Sequence, residues 1–185
     1  MDNRKPALFL DRDGVINKNL GYVSDISRFE FFPEIMEICF LAEKKGFPIV
    51  VVTNQSGIGR GYFTVVDYNI LTTWMIQEFK KNSITISLVL HAPEDPEKTT
   101  HKLNSMRRKP SPEMFFEAER NLQLDLCRSV MIGDSETDMI AAERAGIKVR
   151  VLINESSINS AATIIVPDHE ACLHAVSAIL IPEGE

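Results

Sequence analysis

The feature that most constrains this chain is a repeated change of hydrophobic period. Short, continuous apolar runs rich in β-branched residues occur at 7–10, 48–52, 84–90, 129–132, 147–152 and 163–166. Runs of this length bounded by polar or glycine residues read as buried strands. Between them the apolar residues recur every three or four positions. Ile35, Ile38, Cys39 and Ala42 follow Pro33 and stop before Gly46, so this helix opens with proline in its first turn. Tyr68, Leu71, Thr72, Met75 and Phe79 follow Thr64 and Asp67, which are spaced as a capping box. Met114, Phe115, Ala118 and Leu122 follow Ser111-Pro112, an N-cap and a proline at the first helical position. Further helices are expected up to Gly146 and from about Asp168 to Leu180. Strands alternating with helices predict an α/β chain: a three-layer α/β/α sandwich around one parallel sheet with right-handed crossovers.

Open sheets of this kind bind ligands beyond the carboxyl ends of their strands. At those ends the chain carries polar groups. Ala7–Leu10 stops at Asp11-Arg12-Asp13-Gly14, and side chains two apart on an extended segment face one way. The second strand runs into Thr53-Asn54 and the fourth into Gly133-Asp134, while Lys109 lies between the third strand and the next helix. Taken alone, Asp-x-Asp-Gly describes a strand followed by a solvated turn equally well. Four such groups at one sheet edge favour a site.

Composition narrows the classes. The 185 residues are 44% hydrophobic and 25% charged, as expected of one globular domain spanning 1–185. A net charge of -6 argues against nucleic-acid binding through a basic surface. Arg107-Arg108-Lys109 suits a small anion, or is a solvated patch. Cys39, Cys127 and Cys172 are odd in number and widely spaced, which predicts reduced thiols in a cytoplasmic protein. No run is long enough to span a bilayer, so no membrane partner is expected, and the chain is expected to act as a monomer.

Carboxylates beside a threonine hydroxyl and a lysine suggest Mg²⁺-assisted phosphoryl transfer, because Mg²⁺ takes carboxylate, water and phosphate oxygens. Asp11 and Asp134 are the natural carboxylate ligands, and Asp11 can also attack phosphorus. Asp13 can protonate the leaving oxygen and later activate water, while Thr53 and Lys109 hold the charged oxygens. Catalysed hydrolysis of phosphate monoesters can exceed the uncatalysed rate ~10²¹-fold, roughly 28 kcal/mol of barrier. No single carboxylate supplies that, so the reading needs nucleophile, acid, metal and cation together.

Asp11-x-Asp13-Gly14, Thr53-Asn54, Lys109 and Gly133-Asp134-x-x-x-Asp138 resemble the four motifs of the haloacid dehalogenase (HAD) phosphohydrolases, in order, over roughly residues 7 to 150. The resemblance implies a Rossmann-like domain and an aspartyl-phosphate mechanism, with Asp11, Asp13 and Asp134 at the Mg²⁺ site. No inserted cap domain is apparent. Asp11 to Asn17, Gly21-Tyr22-Val23, Thr53 to Ile58 with Arg60-Gly61, and Arg108-Lys109-Pro110 are similar to the D,D-heptose 1,7-bisphosphate phosphatases. That similarity implies a phosphorylated sugar as substrate, lined by Asn19, Leu20, Gly21, Tyr22, Thr53, Asn54, Gln55 and Ser56. Arg108 would recognise the substrate and Lys109 would stabilise the transferring group. Histidinol phosphate, another small phosphomonoester, and a non-catalytic phospho-ligand binder are the alternatives.

Plainer readings accompany several residues. Gly57-Ile58-Gly59-Arg60-Gly61 is a flexible turn or a phosphate cradle. Asn17, Tyr22 and Arg60 are balanced between loop support and substrate contact. Ser135 with Asp138 also makes a helix cap, Trp74, Met75 and Phe79 are core, and His169 and His174, five apart on a helix and off a common face, are ordinary. Asn17 to Phe32 is expected to be an irregular flap over the end of the first strand.

Many of the resembling phosphatases carry a Cys-x-His…Cys-x-Cys zinc clip before Arg-Lys-Pro. Here Ala92, Glu94, Ser105 and Arg107 occupy those positions, and His91 and His101 are expected to be exposed loop residues. Tetrahedral structural zinc takes Cys or His ligands, so structural Zn²⁺ is predicted to be absent. Elemental analysis of protein purified without chelator should find no stoichiometric zinc; one zinc per chain would overturn this.

Overall fold

Six parallel strands form one sheet in the computed structural model, which describes residues 4–97, 107–154 and 159–180. They are β1 (Leu8–Leu10), β2 (Ile49–Asn54), β3 (Ile86–Ala92), β4 (Val130–Gly133), β5 (Val149–Ile153) and β6 (Ile164–Val166), in the spatial order β3-β2-β1-β4-β5-β6. The helices are α1 (Pro33–Lys44), α2 (Ser56–Arg60), α3 (Val65–Lys81), α4 (Glu113–Leu122), α5 (Glu136–Arg144) and α6 (His169–Leu180). The order reverses between β1 and β4, whose registers pair Leu10 with Ile132. Among the described residues no helix is long and apolar enough to cross a membrane.

Alternation along β1 splits the core. Leu8 and Leu10 face a cluster with Ile35 and Ile38 of α1, Leu71 and Met75 of α3, and Cys172 and Val176 of α6. Ala7 and Phe9 face the opposite cluster, with Met114 and Phe115 of α4 and Met139 and Ala142 of α5. The three-layer arrangement follows from this two-faced burial. Pro33 opens α1, and Gly46 beyond its end has φ +73°, where glycine is unstrained. Thr64 and Asp67 form the expected capping box on α3. The start of α4 differs by one residue from expectation. Pro112 occupies the N-cap, and Ser111 Oγ accepts from Glu113 N at 3.4 Å.

The segment expected to be a flap is mostly anchored. Asn17, Val23 and Phe29 are buried, Asn17 bridges to Phe31, and a 3-10 turn at Ile26–Arg28 is capped by Asp25. Phe29 and Phe31 pack on Trp74 at 5.4 and 5.6 Å, so aromatic burial ties the segment to α3. Residues 18–22 and 25–28 are its exposed stretches. The glycine-rich stretch is likewise no open loop. It forms α2, where a Cβ on Gly59 would lie 2.7 Å from the Pro93 carbonyl oxygen, so close packing accounts for that glycine.

Phe9 is fully buried and packs at 5.0 Å on Phe115. Phe9→Ala should therefore lower unfolding stability by about 4 kcal/mol in urea denaturation. A loss below about 1 kcal/mol would mean that β1 is not the centre of this core.

Candidate active site

The carboxyl ends of β1, β2 and β4 meet the segment before α4 around one buried ammonium. Lys109 Nζ donates to Asp11 Oδ1 at 2.7 Å and to the Val52 carbonyl at 2.7 Å, and it lies 2.5 Å from Asp138 Oδ1. Its side chain is 1% exposed. Asn54 aims it through its backbone: Asn54 Nδ2 donates to the Lys109 carbonyl and Lys109 N donates to Asn54 Oδ1. Arg107, by contrast, leaves the cluster to pair with Glu117 of α4.

Carboxylate oxygens of Asp11, Asp134 and Asp138 all lie within 4.8 Å of one another. Lys109 is the cation in contact with Asp11 and Asp138, so one ammonium faces three carboxyl groups at the floor of the site. Burial pushes the Asp11 carboxyl up to about 7, Asp138 and Asp134 push the same way, and Lys109 opposes them. Burial, then Asp138, raises Asp134 to about 6. Burial opposes the Lys109 charge, but Asp11 and Asp138 outweigh it and hold the ammonium above its ordinary value. An excess of buried hard oxygen donors suits a divalent cation such as Mg²⁺. Asp138 is the most committed of the three, because its Oδ2 also accepts from Ser135 N and Oγ, completing the α5 capping box.

Asp13, expected at the metal site, is absent from that carboxylate group. Its oxygens accept from Arg12 Nη2 at 2.7 and 2.9 Å, from Asn17 Nδ2 at 3.1 Å and from Gln55 Nε2 at 2.9 Å. The physical reason is the buried Arg12 guanidinium, which also donates to the Val23 carbonyl and draws the carboxylate to its own side. Asp13 nevertheless lines the same cavity as Asp11, of about 340 Å³. Asn19, Gly21, Tyr22, Asn54, Gln55 and Ser56 line it too, with Arg108 and Lys109 opposite. Thr53 and Leu20 are not in that lining. Thr53 is buried below it, accepting from Gln55 Nε2 at 2.9 Å, while exposed Leu20 gives its carbonyl to Arg28.

Gly14 joins the two ends. Its φ is +93°, and a Cβ there would fall 1.9 Å from Asp134 Oδ2, so the carboxylate occupies space that only glycine leaves. Across the same turn, His169 Nε2 lies 3.1 Å from the Gly14 carbonyl, and its ring stacks on Phe32 at 3.5 Å. His169 is thus half-buried and engaged, contrary to expectation, and burial holds its imidazole below the ordinary value. His91 also departs from expectation. It lies in β3 and packs at 4.3 Å on Tyr68, because the strand continues to Ala92, beyond its apolar run. His101 and Ser105 lie outside the described residues.

Sequence reasoning missed Arg12, the Asn54 clamp and the Lys109–Asp138 pair. Arg12 had a signal, a basic residue between two acids. Asp138 had one too, three residues after Ser135 at capping-box spacing.

Comparison with known proteins agrees with this geometry. The HAD-hydrolase-like family model matches residues 106–169. The chain is 41% identical over 165 residues to the D-glycero-alpha-D-manno-heptose-1,7-bisphosphate 7-phosphatase of Burkholderia mallei, covering 88% of this chain and 86% of the relative. It is also 41% identical over 154 residues to the beta-named enzyme of Vibrio cholerae, covering 80% and 81%. A crystal structure of a HAD-like phosphatase from Mesorhizobium loti superposes with a TM-score of 0.84 at 34% identity, covering 96% of this chain and 86% of that one. The D,D-heptose 1,7-bisphosphate phosphatase of B. bronchiseptica, solved with magnesium and phosphate, gives 0.79 at 22% identity, covering 93% and 98%, a likeness of fold.

The raised carboxyls set a pH dependence. A carboxyl held at about 6 or 7 rather than the ordinary 3.8 binds more protons when folded. Metal-free stability therefore falls as pH rises from about 4 to 7. A bound divalent cation replaces those protons, so the rise in melting temperature caused by Mg²⁺ should be larger at pH 8 than at pH 5.5. Equal increments at both pH values would exclude these carboxylates as the cation site.

Proposed function

Because the chain belongs to the HAD-like hydrolases, alongside the heptose 1,7-bisphosphate 7-phosphatases, we propose that it is a Mg²⁺-dependent phosphatase of a small phosphorylated sugar. The substrate that fits best is D-glycero-D-manno-heptose 1,7-bisphosphate, with release of the 7-phosphate to leave the heptose 1-phosphate. The observation that carries this reading is the Asp11–Lys109–Asp138 cluster with Asp134, at the sheet's switch point and on the floor of one cavity.

Asp11 and Asp134 would hold Mg²⁺, since Asp138 is already engaged by Lys109 and by its own helix cap. Bound there, the ion supplies positive charge against the transferring phosphoryl oxygens. Lys109 occupies Asp11 Oδ1, which leaves Oδ2 as the attacking oxygen. Its lone pair forms the new bond to phosphorus as the bond to the sugar oxygen breaks, giving an aspartyl-phosphate. Asp13, two residues on and lining the same cavity, donates the proton that the departing sugar oxygen takes up. In the second half, Asp13 takes a proton from water as the water oxygen attacks phosphorus, and Asp11 is released with inorganic phosphate. Gln55 links Asp13 to Thr53. Thr53 keeps its own O–H to donate, and with Lys109 it would stabilise phosphoryl oxygens. Asn19, Gly21, Tyr22, Ser56 and Arg108 would contact the rest of the substrate; the Arg108 guanidinium suits an anionic sugar substituent. The same reading takes residues 1–185 as one catalytic unit, acting as a cytoplasmic monomer.

A Mg²⁺-dependent panel of both anomers of the heptose bisphosphate, histidinol phosphate and an aryl phosphate tests the assignment. The expected result is a preference of at least about 100-fold in kcat/KM for a heptose anomer, or about 2.7 kcal/mol. Equal, feeble turnover of every compound would set the sugar aside. Asp11→Asn should lower turnover by at least about 1,000-fold, and wild-type turnover in that variant would end the nucleophile assignment.

A further inference from the structure

The last helix reaches the site at one point. His169, the first residue of α6, places Nε2 3.1 Å from the Gly14 carbonyl, 155 positions earlier in the chain. A carbonyl only accepts, so this contact needs the tautomer with its proton on Nε2. The ring has little freedom to turn. It stacks nearly parallel on Phe32, with centroids 3.5 Å apart and planes at 14°, at the start of α1. The Gly14–Val15 peptide it holds is otherwise fixed by Val15 N donating to the Arg12 carbonyl at 3.3 Å, and the peptide before it by Gly14 N donating to the Asn17 carbonyl at 2.7 Å. The Asp134 carboxylate rests directly against Gly14 Cα, in the space a Cβ would fill. A displacement of this peptide therefore moves the wall against which Asp134 is set.

We infer that His169 is a positioning residue for the cation site: its Nε2–H fixes the Gly14 peptide, and that peptide sets the Asp134 carboxylate relative to Asp11. His169 touches neither carboxylate and takes no part in bond making. Groups that orient metal ligands commonly change affinity about 10-fold or more when removed, while the ligands themselves stay in place. The inference rests on the reading of Asp11 and Asp134 as cation ligands, and the test separates the two.

Mg²⁺ binding to the metal-free protein is measured by calorimetry for wild type, Asp134→Asn, His169→Phe and His169→Gln. His169→Phe keeps a ring on Phe32 but loses the donor, and its Kd for Mg²⁺ should rise about 5- to 10-fold. His169→Gln restores a donor and should return to within about threefold of wild type. A purely structural role would lower the melting temperature of His169→Phe and leave its Kd unchanged, which overturns the inference. So does a His169→Gln Kd as weak as that of His169→Phe. If Asp134→Asn binds Mg²⁺ as wild type does, the ligand reading fails instead. Long-range ¹H–¹⁵N NMR of the metal-free wild type needs no variant. A neutral His169 protonated on Nε2 is expected, and protonation on Nδ1 alone refutes the inference even if no variant folds.

Discussion

The buried Asp11 and Asp138 carboxylates paired with the Lys109 ammonium, with half-buried Asp134 beside them, are the constraint on which the rest of this structure depends. Taking these charges out of water is costly, and the cost is offset only when each charge keeps partners at good geometry. Lys109 meets that condition by touching the ends of β1 and β2 and the first turn of α5 at once, through Asp11, the Val52 carbonyl and Asp138. A lysine placed an ångström away would leave one of them unpaired. Much of the surrounding architecture serves that placement. Asn54 holds the Lys109 backbone by two hydrogen bonds, and Asp11 N donates to the Ile132 carbonyl, which locks the end of β1 against β4.

Asp11 and Asp13 are separated by one residue and occupy unlike environments. Asp11 is buried, and loss of water, with Asp138 and Asp134 pushing the same way against Lys109, takes its carboxyl up to about 7. Asp13 is matched by Arg12 and by two side-chain amides. Pairs of acids whose surroundings differ are how one fold assigns two roles to one residue type. Here the division comes from Arg12, which lies between them in sequence and turns inward beneath Asp13, 1% exposed.

What the sequence made legible was whatever a local pattern encodes. Strand and helix identities follow from period, and the carboxyl-end rule then brings Asp11, Asn54, Lys109 and Asp134 to one edge. The α3 capping box was readable because its partners are three residues apart. Contacts between distant segments were not. Nothing near His169 signals Gly14, and nothing near Asn54 signals the Lys109 backbone. Gly59 read as flexibility because the Pro93 carbonyl that crowds it lies 34 residues away. For Asp13, alternation along a strand gives direction only. The guanidinium that redirects it is set by tertiary packing.

The floor and the rim of the cavity are built on different principles, and this bears on specificity. Lys109, Asp11 and Asp138 at the floor are buried and immobilised by charge. The rim carries Asn19, Gly21 and Tyr22, within the exposed stretch 18–22, where Arg28 holds the Leu20 and Gly21 carbonyls. Tyr22 has φ +48°, a conformation that costs a non-glycine residue energy and persists where neighbours impose it. Its ring meets Tyr62, just beyond α2, edge-on at 4.7 Å, so the two sides of the mouth brace each other. A change at the floor disturbs a charge balance and with it any phosphoryl transfer. A change at Gly21 or Tyr22 alters shape and aromatic surface while leaving that balance intact, whereas Asn19 reaches down to hydrogen-bond Asp134. Substrate choice can therefore diverge on this chain without rebuilding the chemistry beneath it.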